Sequence, residues 1–137
     1  MSGRVATMTA ADVKIRAGHA HSFLSTLRLV QELGSDAEID DTDNIVGSLA
    51  VLAGIAASDA MCGRALGQRS VGESHADAVR LLSQLRRGAP LASDLKRLLG
   101  EKSNSQYSPR YISADTARRM AKWAQRLVSA MDDVLAG

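Results

Sequence analysis

Residues 44–63 read NIVGSLAVLAGIAASDAMCG and decide the fold, because they combine apolar helix formers with a single charge, Asp59. A helix built from this stretch carries apolar side chains on nearly every face, as a helix surrounded by other helices requires. Small residues recur along it and let neighbouring backbones approach closely: Gly47, Ala50, Ala53, Gly54, Ala57 and Ala60. The stretch therefore predicts a buried central helix over residues 44–66.

A membrane span is the alternative interpretation of this stretch. A bilayer core needs about 20 predominantly apolar residues. Here the run from Ile45 to Ala57 ends at Ser58 and Asp59, and its glycines lower its hydrophobicity. We therefore predict no membrane partner.

The length and composition of the chain favour one helical domain over residues 1–137. The chain has one Phe, one Trp and two Tyr, so its core must come from aliphatic helix formers rather than from aromatic strand residues. We predict an all-α, single-domain bundle of about five helices with the buried central helix at 44–66. We expect residues 1–8 to be flexible.

Four further helices follow from periodicity and capping signals. The first is capped by Thr9, with Asp12 in its first turn, and ends near Gly34. The third spans about 73–87 behind a Ser70-x-x-Glu73 capping box. The fourth begins at Pro90 and ends near Lys102, residues 103–109 form an irregular connection, and Ser113 caps the last helix. Asp41, Thr42 and Asp43 are positioned to cap the central helix.

Residue types associated with cofactors are scarce. The lone cysteine, Cys62, excludes an internal disulfide, and with no apolar signal segment visible it favours a cytoplasmic location. His19 and His21 are two residues apart and point to opposite sides of a helix, unlike a metal-binding pair at i and i+4. We predict neither a metal nor another cofactor.

Charge is unevenly distributed although the net charge is only +2. Residues 32–43 hold six acidic residues and no basic one, which we interpret as a solvated loop. Residues 78–126 hold eleven Lys or Arg against three acids, a local charge of +8. The second half therefore suits a phosphate backbone or an acidic partner.

Asp59 has two interpretations because it lies within the apolar helix. An interior carboxylate has a raised pKa unless a cation or hydrogen-bond donors hold it ionised. Arg64, Arg69 or an arginine of another helix is a candidate partner, and a buried ion pair is the favoured interpretation. A catalytic carboxylate is the alternative.

Two short constellations contain chemically useful side chains. Arg69 and His75 are separated by five residues at the start of a helix, and a histidine base beside an arginine is a combination that can cleave RNA. Lys102, Gln106 and Tyr107 place a cation and a phenol in a short connection before a basic helix. Each set also has a structural interpretation, which is helix capping for Arg69 and His75 and loop anchoring for Lys102 and Tyr107.

At these residues the chain resembles the HEPN superfamily, the small helical "higher eukaryotes and prokaryotes nucleotide-binding" domains. Arg69 and His75 match the spacing of that family's Arg-x4-6-His motif, although they precede the third helix. Before the last long helix, where the family has this motif, the chain has Lys102, Gln106 and Tyr107 and no histidine. The resemblance implies a toxin–antitoxin or defence protein, commonly a homodimer.

Three functional hypotheses follow. The first is nucleic-acid or nucleotide binding through Lys102, Tyr107, Arg110, Arg118, Arg119 and Lys122. The second is a metal-independent ribonuclease that uses His75 and Arg69. The third is a non-catalytic module with a cognate protein partner. We also expect a homodimer, because Trp123, Val128 and Leu135 flank the apolar seam of the last helix.

Overall fold

The computed structural model describes residues 4–72, 74–107, 109 and 111–137. These residues form a helical bundle with a two-stranded ribbon, so the predicted all-α class is confirmed. The elements in chain order are β1 (Val5–Thr7), α1 (Ala10–Leu33), α2 (Thr42–Leu66), β2 (Gln68–Ser70), α3 (His75–Ser83), α4 (Gly88–Gly100), α5 (Lys102–Gln106) and α6 (Ala114–Ala136).

Helix α1 begins where the sequence predicts. The Thr9 hydroxyl accepts from the Asp12 amide at 3.1 Å, and the Asp12 carboxylate accepts from the Thr9 amide at 2.9 Å. These two bonds satisfy amide groups that the helix itself leaves unpaired. The bond from the Thr9 backbone also lowers the pKa of Asp12.

Helix α2 is the predicted central helix, begun two residues earlier at Thr42. It packs against both long helices, α1 and α6, and most of its residues from Val46 to Gly63 are buried. The predicted buried central helix is confirmed, with Leu52 as an exception that keeps 39% of its surface exposed. Asp41 precedes the helix in the left-handed region, and its side chain makes no capping bond, contrary to prediction.

Helix α6 packs its predicted seam into the core, where Ala117, Met120, Ala124, Leu127 and Met131 are all buried. Its predicted N-cap is confirmed, because the Ser113 hydroxyl accepts from the Thr116 amide at 3.0 Å. Val128 is also buried within the chain, while Trp123 and Leu135 are half-buried against the core. These three residues are therefore used by the single bundle, and the homodimer stays a prediction.

The ribbon joins the start of the chain to the end of α2. Strands β1 and β2 pair antiparallel, with Val5 opposite Ser70, and the Met8 amide donates to the Gly67 carbonyl at 2.8 Å. The sequence predicted a flexible segment over residues 1–8, but residues 5–8 have regular pairing and a buried Met8. Residues 1–3 lie outside the described part of the chain.

Two connections differ from prediction. Ser70 lies in β2 rather than at the start of a helix, and its predicted partner Glu73 lies outside the described residues. The residue that caps α3 is Ser74, whose hydroxyl accepts from the Asp77 amide at 3.3 Å. The fourth helix ends at Gly100, and the expected irregular connection contains the short helix α5. Burial of Ser105 against α2 stabilises this extra turn, and α5 gives six helices among the described residues.

Helix α2 is the one helix of the described residues long and apolar enough to cross a membrane by length and composition. The interruption at Ser58 and Asp59 therefore does not exclude a span. Within its most apolar window, 67% is buried inside the bundle, as a core helix requires. That the protein has no membrane partner stays a prediction, and the burial of α2 supports it.

Candidate functional site

A pocket of about 450 Å³ collects two of the predicted site residues, His75 and Lys102. It lies where α2, β2, α3, α4 and α5 meet. Its polar lining is Ser58, Asp59, Ser70, Ser74, His75 and Lys102, and its apolar lining is Ile55, Ala78, Leu95 and Leu99. We call this cavity the His75 pocket.

Arg69 does not line the His75 pocket. Successive strand residues point to opposite faces, so β2 directs Arg69 away from Ser70. Arg69 lines a separate cleft of about 490 Å³ together with Asp12 and Arg16. The structure therefore does not bring Arg69 and His75 into one cavity, although Asp59 borders both.

Asp59 is 9% exposed and pairs with Arg16 of α1. Nε and Nη2 of Arg16 donate to Oδ2 of Asp59 at 3.1 and 2.9 Å. Burial raises the pKa of Asp59, and the charges of Arg16 and Arg69 oppose that rise. The predicted ion pair to an arginine of another helix is confirmed.

The other two histidines each lie beside a charged side chain. Nδ1 of His19 lies 3.2 Å from Nη1 of Arg16, and Nε2 of His21 lies 2.7 Å from Oδ1 of Asp132. His19 thus lies beside Arg16 of its own helix, whereas His21 contacts α6, so the two histidines have different neighbours, as their spacing of two residues predicts. In the described part of the chain, no group of three His, Cys, Asp or Glu side chains is arranged to hold a metal ion.

The exposed side of α6 carries the predicted cations Arg118, Arg119 and Lys122. They occupy one side of the helix because residues three and four apart are neighbours on its surface. Arg118 bonds Asp115, and Arg119 donates to the Thr116 hydroxyl at 3.3 Å. Lys122 makes no ion pair with any described residue. We call these three residues, with Arg126 one turn further on, the basic surface.

Two tyrosines lie in the segment leading to the basic surface. Tyr107 follows α5 with 73% of its surface exposed, and Tyr111 precedes α6 with 77% exposed. Tyr107 was predicted as a binding residue, whereas Tyr111 was missed although its place in a short connection was a usable signal. Arg110, also predicted, lies outside the described residues.

Asp94 of α4 is a site residue that the sequence analysis missed. It is 5% exposed, and its two carboxylate oxygens accept from Nη2 and Nε of Arg126 at 2.8 and 2.9 Å. Nη1 of Arg97 adds a longer bond of 3.4 Å. The bond to Asp94 raises the pKa of Arg126. Asp94 therefore fixes one end of the basic surface against α4.

No protein-family model, curated protein or solved structure matches this chain. The resemblance to the HEPN superfamily therefore rests on the residues quoted above. The class supported by the structure is an all-α bundle that has an amphipathic pocket at His75 and a basic surface on α6.

Proposed function

We propose that this protein is an HEPN-like helical protein that binds single-stranded nucleic acid through the basic surface. The observation that carries the proposal is the combination of exposed cations on α6 with the exposed Tyr107 and Tyr111 in the preceding segment. Proteins that bind single strands combine positive charge along the backbone with aromatic side chains on which bases stack.

The charge balance of this surface supports the proposal. The surface has four cations, Arg118, Arg119, Lys122 and Arg126, against two carboxylates, Asp115 bonded to Arg118 and Asp94 bonded to Arg126, so its net charge is +2. Three to four phosphate contacts predict a salt dependence of about −2 to −3 in log K against log salt for a single strand. Raising salt from 50 to 200 mM then weakens binding by roughly thirtyfold.

The ribonuclease hypothesis has less support than binding. Arg69 and His75 line different cavities, whereas a ribonuclease site needs both side chains around one phosphate. A toxin–antitoxin or defence role, a cognate protein partner and the cytoplasmic location remain predictions from the resemblance and the composition.

The test measures anisotropy of a labelled 20-nucleotide RNA with wild-type protein and with the double variant Arg119→Gln/Lys122→Gln. We expect the variant to bind more weakly, with a salt slope smaller by about 1.4. Tyr107→Ala and Tyr111→Ala should each weaken binding by roughly tenfold without changing the slope.

The matched control is Lys14→Gln/Arg64→Gln, which removes the same charge from the cleft between α1 and α2. Equal loss of binding in both double variants would indicate attraction by net charge and reject the basic surface. Cleavage of the RNA that disappears in His75→Ala would favour the ribonuclease instead. No salt-sensitive binding at all would reject nucleic-acid binding.

A further inference from the structure

The His75 pocket contains polar groups that the fold leaves without partners. The Ser70 hydroxyl oxygen is buried and makes no hydrogen bond among the described residues. Lys102 has no carboxylate within 4.0 Å and His75 has no hydrogen-bond partner in that same part of the chain. Buried polar groups in folded proteins are almost always paired, so the unpaired Ser70 hydroxyl, which lines one cavity with the half-buried Lys102 and the exposed His75, indicates a ligand.

One end of the pocket suits an anion. Lys102 contributes an ammonium group, and His75 contributes an imidazole from the first turn of α3. Ser74 caps only the Asp77 amide, so the backbone amides at the start of α3 stay available to a negative group. The helix dipole adds to the attraction of Lys102, but Lys102 and the unpaired Ser70 hydroxyl distinguish this end from an ordinary helix start.

The negative charge of Asp59 does not prevent an anion from binding at this site. Its charge is offset by Arg16, and both hydrogen bonds from Arg16 go to Oδ2. Oδ1 has no donor among the described residues and remains available to accept a hydrogen bond. A ligand that has a hydroxyl or an amine as well as an anionic group would satisfy it.

The remaining wall of the pocket is apolar and consists of Ile55, Ala78, Leu95 and Leu99. Ligand pockets of about 300 to 1,000 Å³ with an apolar wall and a few converging polar groups typically hold small organic molecules. At about 450 Å³ the His75 pocket fits a ligand the size of one substituted ring.

We propose that the His75 pocket binds a small phosphate monoester with an apolar body and a hydrogen-bond donor at its far end. The phosphate contacts Lys102, His75, the Ser70 hydroxyl and the start of α3, the body packs on Leu95 and Leu99, and the donor bonds Asp59. A phosphate suits the first end because a dianion benefits most from an ammonium group beside a helix start. This site is separate from the basic surface.

The experiment is calorimetric titration of the full chain with four probes: inorganic phosphate, phenyl phosphate, tyramine O-phosphate and tyramine. Phenyl phosphate adds the apolar body, and tyramine O-phosphate adds the amine. We expect each addition to tighten binding by roughly tenfold, which corresponds to about 1.4 kcal/mol. Tyramine, which lacks the phosphate, should bind much more weakly than tyramine O-phosphate.

Lys102→Gln should weaken all three phosphate probes by at least tenfold, whereas Lys96→Gln, on α4 outside the pocket, should change none. Asp59→Asn should remove the advantage of tyramine O-phosphate over phenyl phosphate. Because Asp59→Asn also alters the pair with Arg16, Ser70→Val provides a second pocket variant that leaves that pair intact. It should weaken phenyl phosphate binding because it removes the hydroxyl and adds bulk.

Absence of saturable binding by tyramine O-phosphate overturns the proposal. Equal affinity for inorganic phosphate and phenyl phosphate overturns it too, because the apolar wall would then be unused. The nucleic-acid test alters Arg119 and Lys122, neither of which lines the pocket, so the two proposals fail separately.

Discussion

Arg16 of α1 and Asp59 of α2 form an ion pair with two hydrogen bonds that links these two helices beside the His75 pocket. Asp59 is nearly buried, whereas the Arg16 side chain keeps 27% of its surface exposed. Removing the arginine leaves a carboxylate with little access to water, and that is more costly than losing an exposed pair. The pair therefore stabilises the register of α1 against α2 and sets the charge at the wall of the His75 pocket.

We expect Arg16→Met to destabilise the fold by about 2 to 3 kcal/mol at neutral pH. The deficit should also depend on pH. Burial already raises the pKa of Asp59 above 3.8, and loss of Arg16 raises it further. A raised folded-state pKa gives stability at acid pH that is lost as pH rises through it, so the deficit of the variant grows as pH rises through the raised pKa of Asp59.

Urea unfolding of wild type and Arg16→Met at a series of pH values measures this effect. Lys14→Met, an exposed substitution on the same helix, is the control and should change stability by less than about 0.5 kcal/mol at every pH. A deficit that is constant with pH would mean that Arg16 acts through packing rather than through the charge of Asp59.

Gly54 of α2 marks a close approach to α4 and α6. A Cβ atom there would lie 2.6 Å from Cδ1 of Leu98 and 3.3 Å from Cδ1 of Leu127, and both leucines are fully buried. We expect Gly54→Ala to cost about 1 to 3 kcal/mol because neither side chain has room to retreat. Thermal unfolding followed by circular dichroism measures the loss.

Gly18→Ala is the matched control for Gly54→Ala. Gly18 lies within α1, and its added Cβ would meet nothing within 4 Å. Higher helix propensity should therefore stabilise this variant by about 0.5 to 1 kcal/mol. Stabilisation by both substitutions would show that α2 has more space around it than the structure indicates.

The sequence predicted the central helix and the seam of α6 because both depend on local periodicity. Small residues from Gly47 to Ala60 and the heptad-like spacing from Ala117 to Met131 determine which faces are buried. The cap at Thr9 was predictable for the same reason, since its partner Asp12 is only three residues away.

The ribbon and the site geometry could not be predicted from local pattern. Strand β1 pairs with residues more than sixty positions away, and the pattern of a three-residue strand does not indicate which distant residues it pairs with. Because of this pairing, Ser70 lies in a strand instead of capping a helix, and Arg69 and His75 line different cavities. Asp94 was missed for a similar reason, because its main partner, Arg126, is on another helix.

Arg87 precedes α4 with a φ of 58°, in the left-handed region that favours glycine. We expect Arg87→Gly to stabilise the protein by about 0.5 to 1 kcal/mol, because glycine adopts this conformation without a steric penalty. Arg86→Gly removes the same charge where the φ is not positive and should destabilise by a similar amount. Equal effects in urea unfolding would contradict a conformational origin.

Cys62 is buried in α2, and burial raises the pKa of its thiol from 9.0 to about 12, although a hydrogen bond with Ser58 opposes the rise. Only the thiolate reacts with disulfide reagents, so at pH 8 this shift alone slows labelling by roughly a thousandfold relative to an exposed thiol. We expect one thiol per chain to react rapidly with Ellman's reagent in 6 M guanidinium chloride and very slowly in buffer. Because Gly54→Ala should open the core more often, it should label faster than wild type, while Gly18→Ala should not. Rapid labelling of the native wild-type protein would contradict the placement of Cys62 in the core.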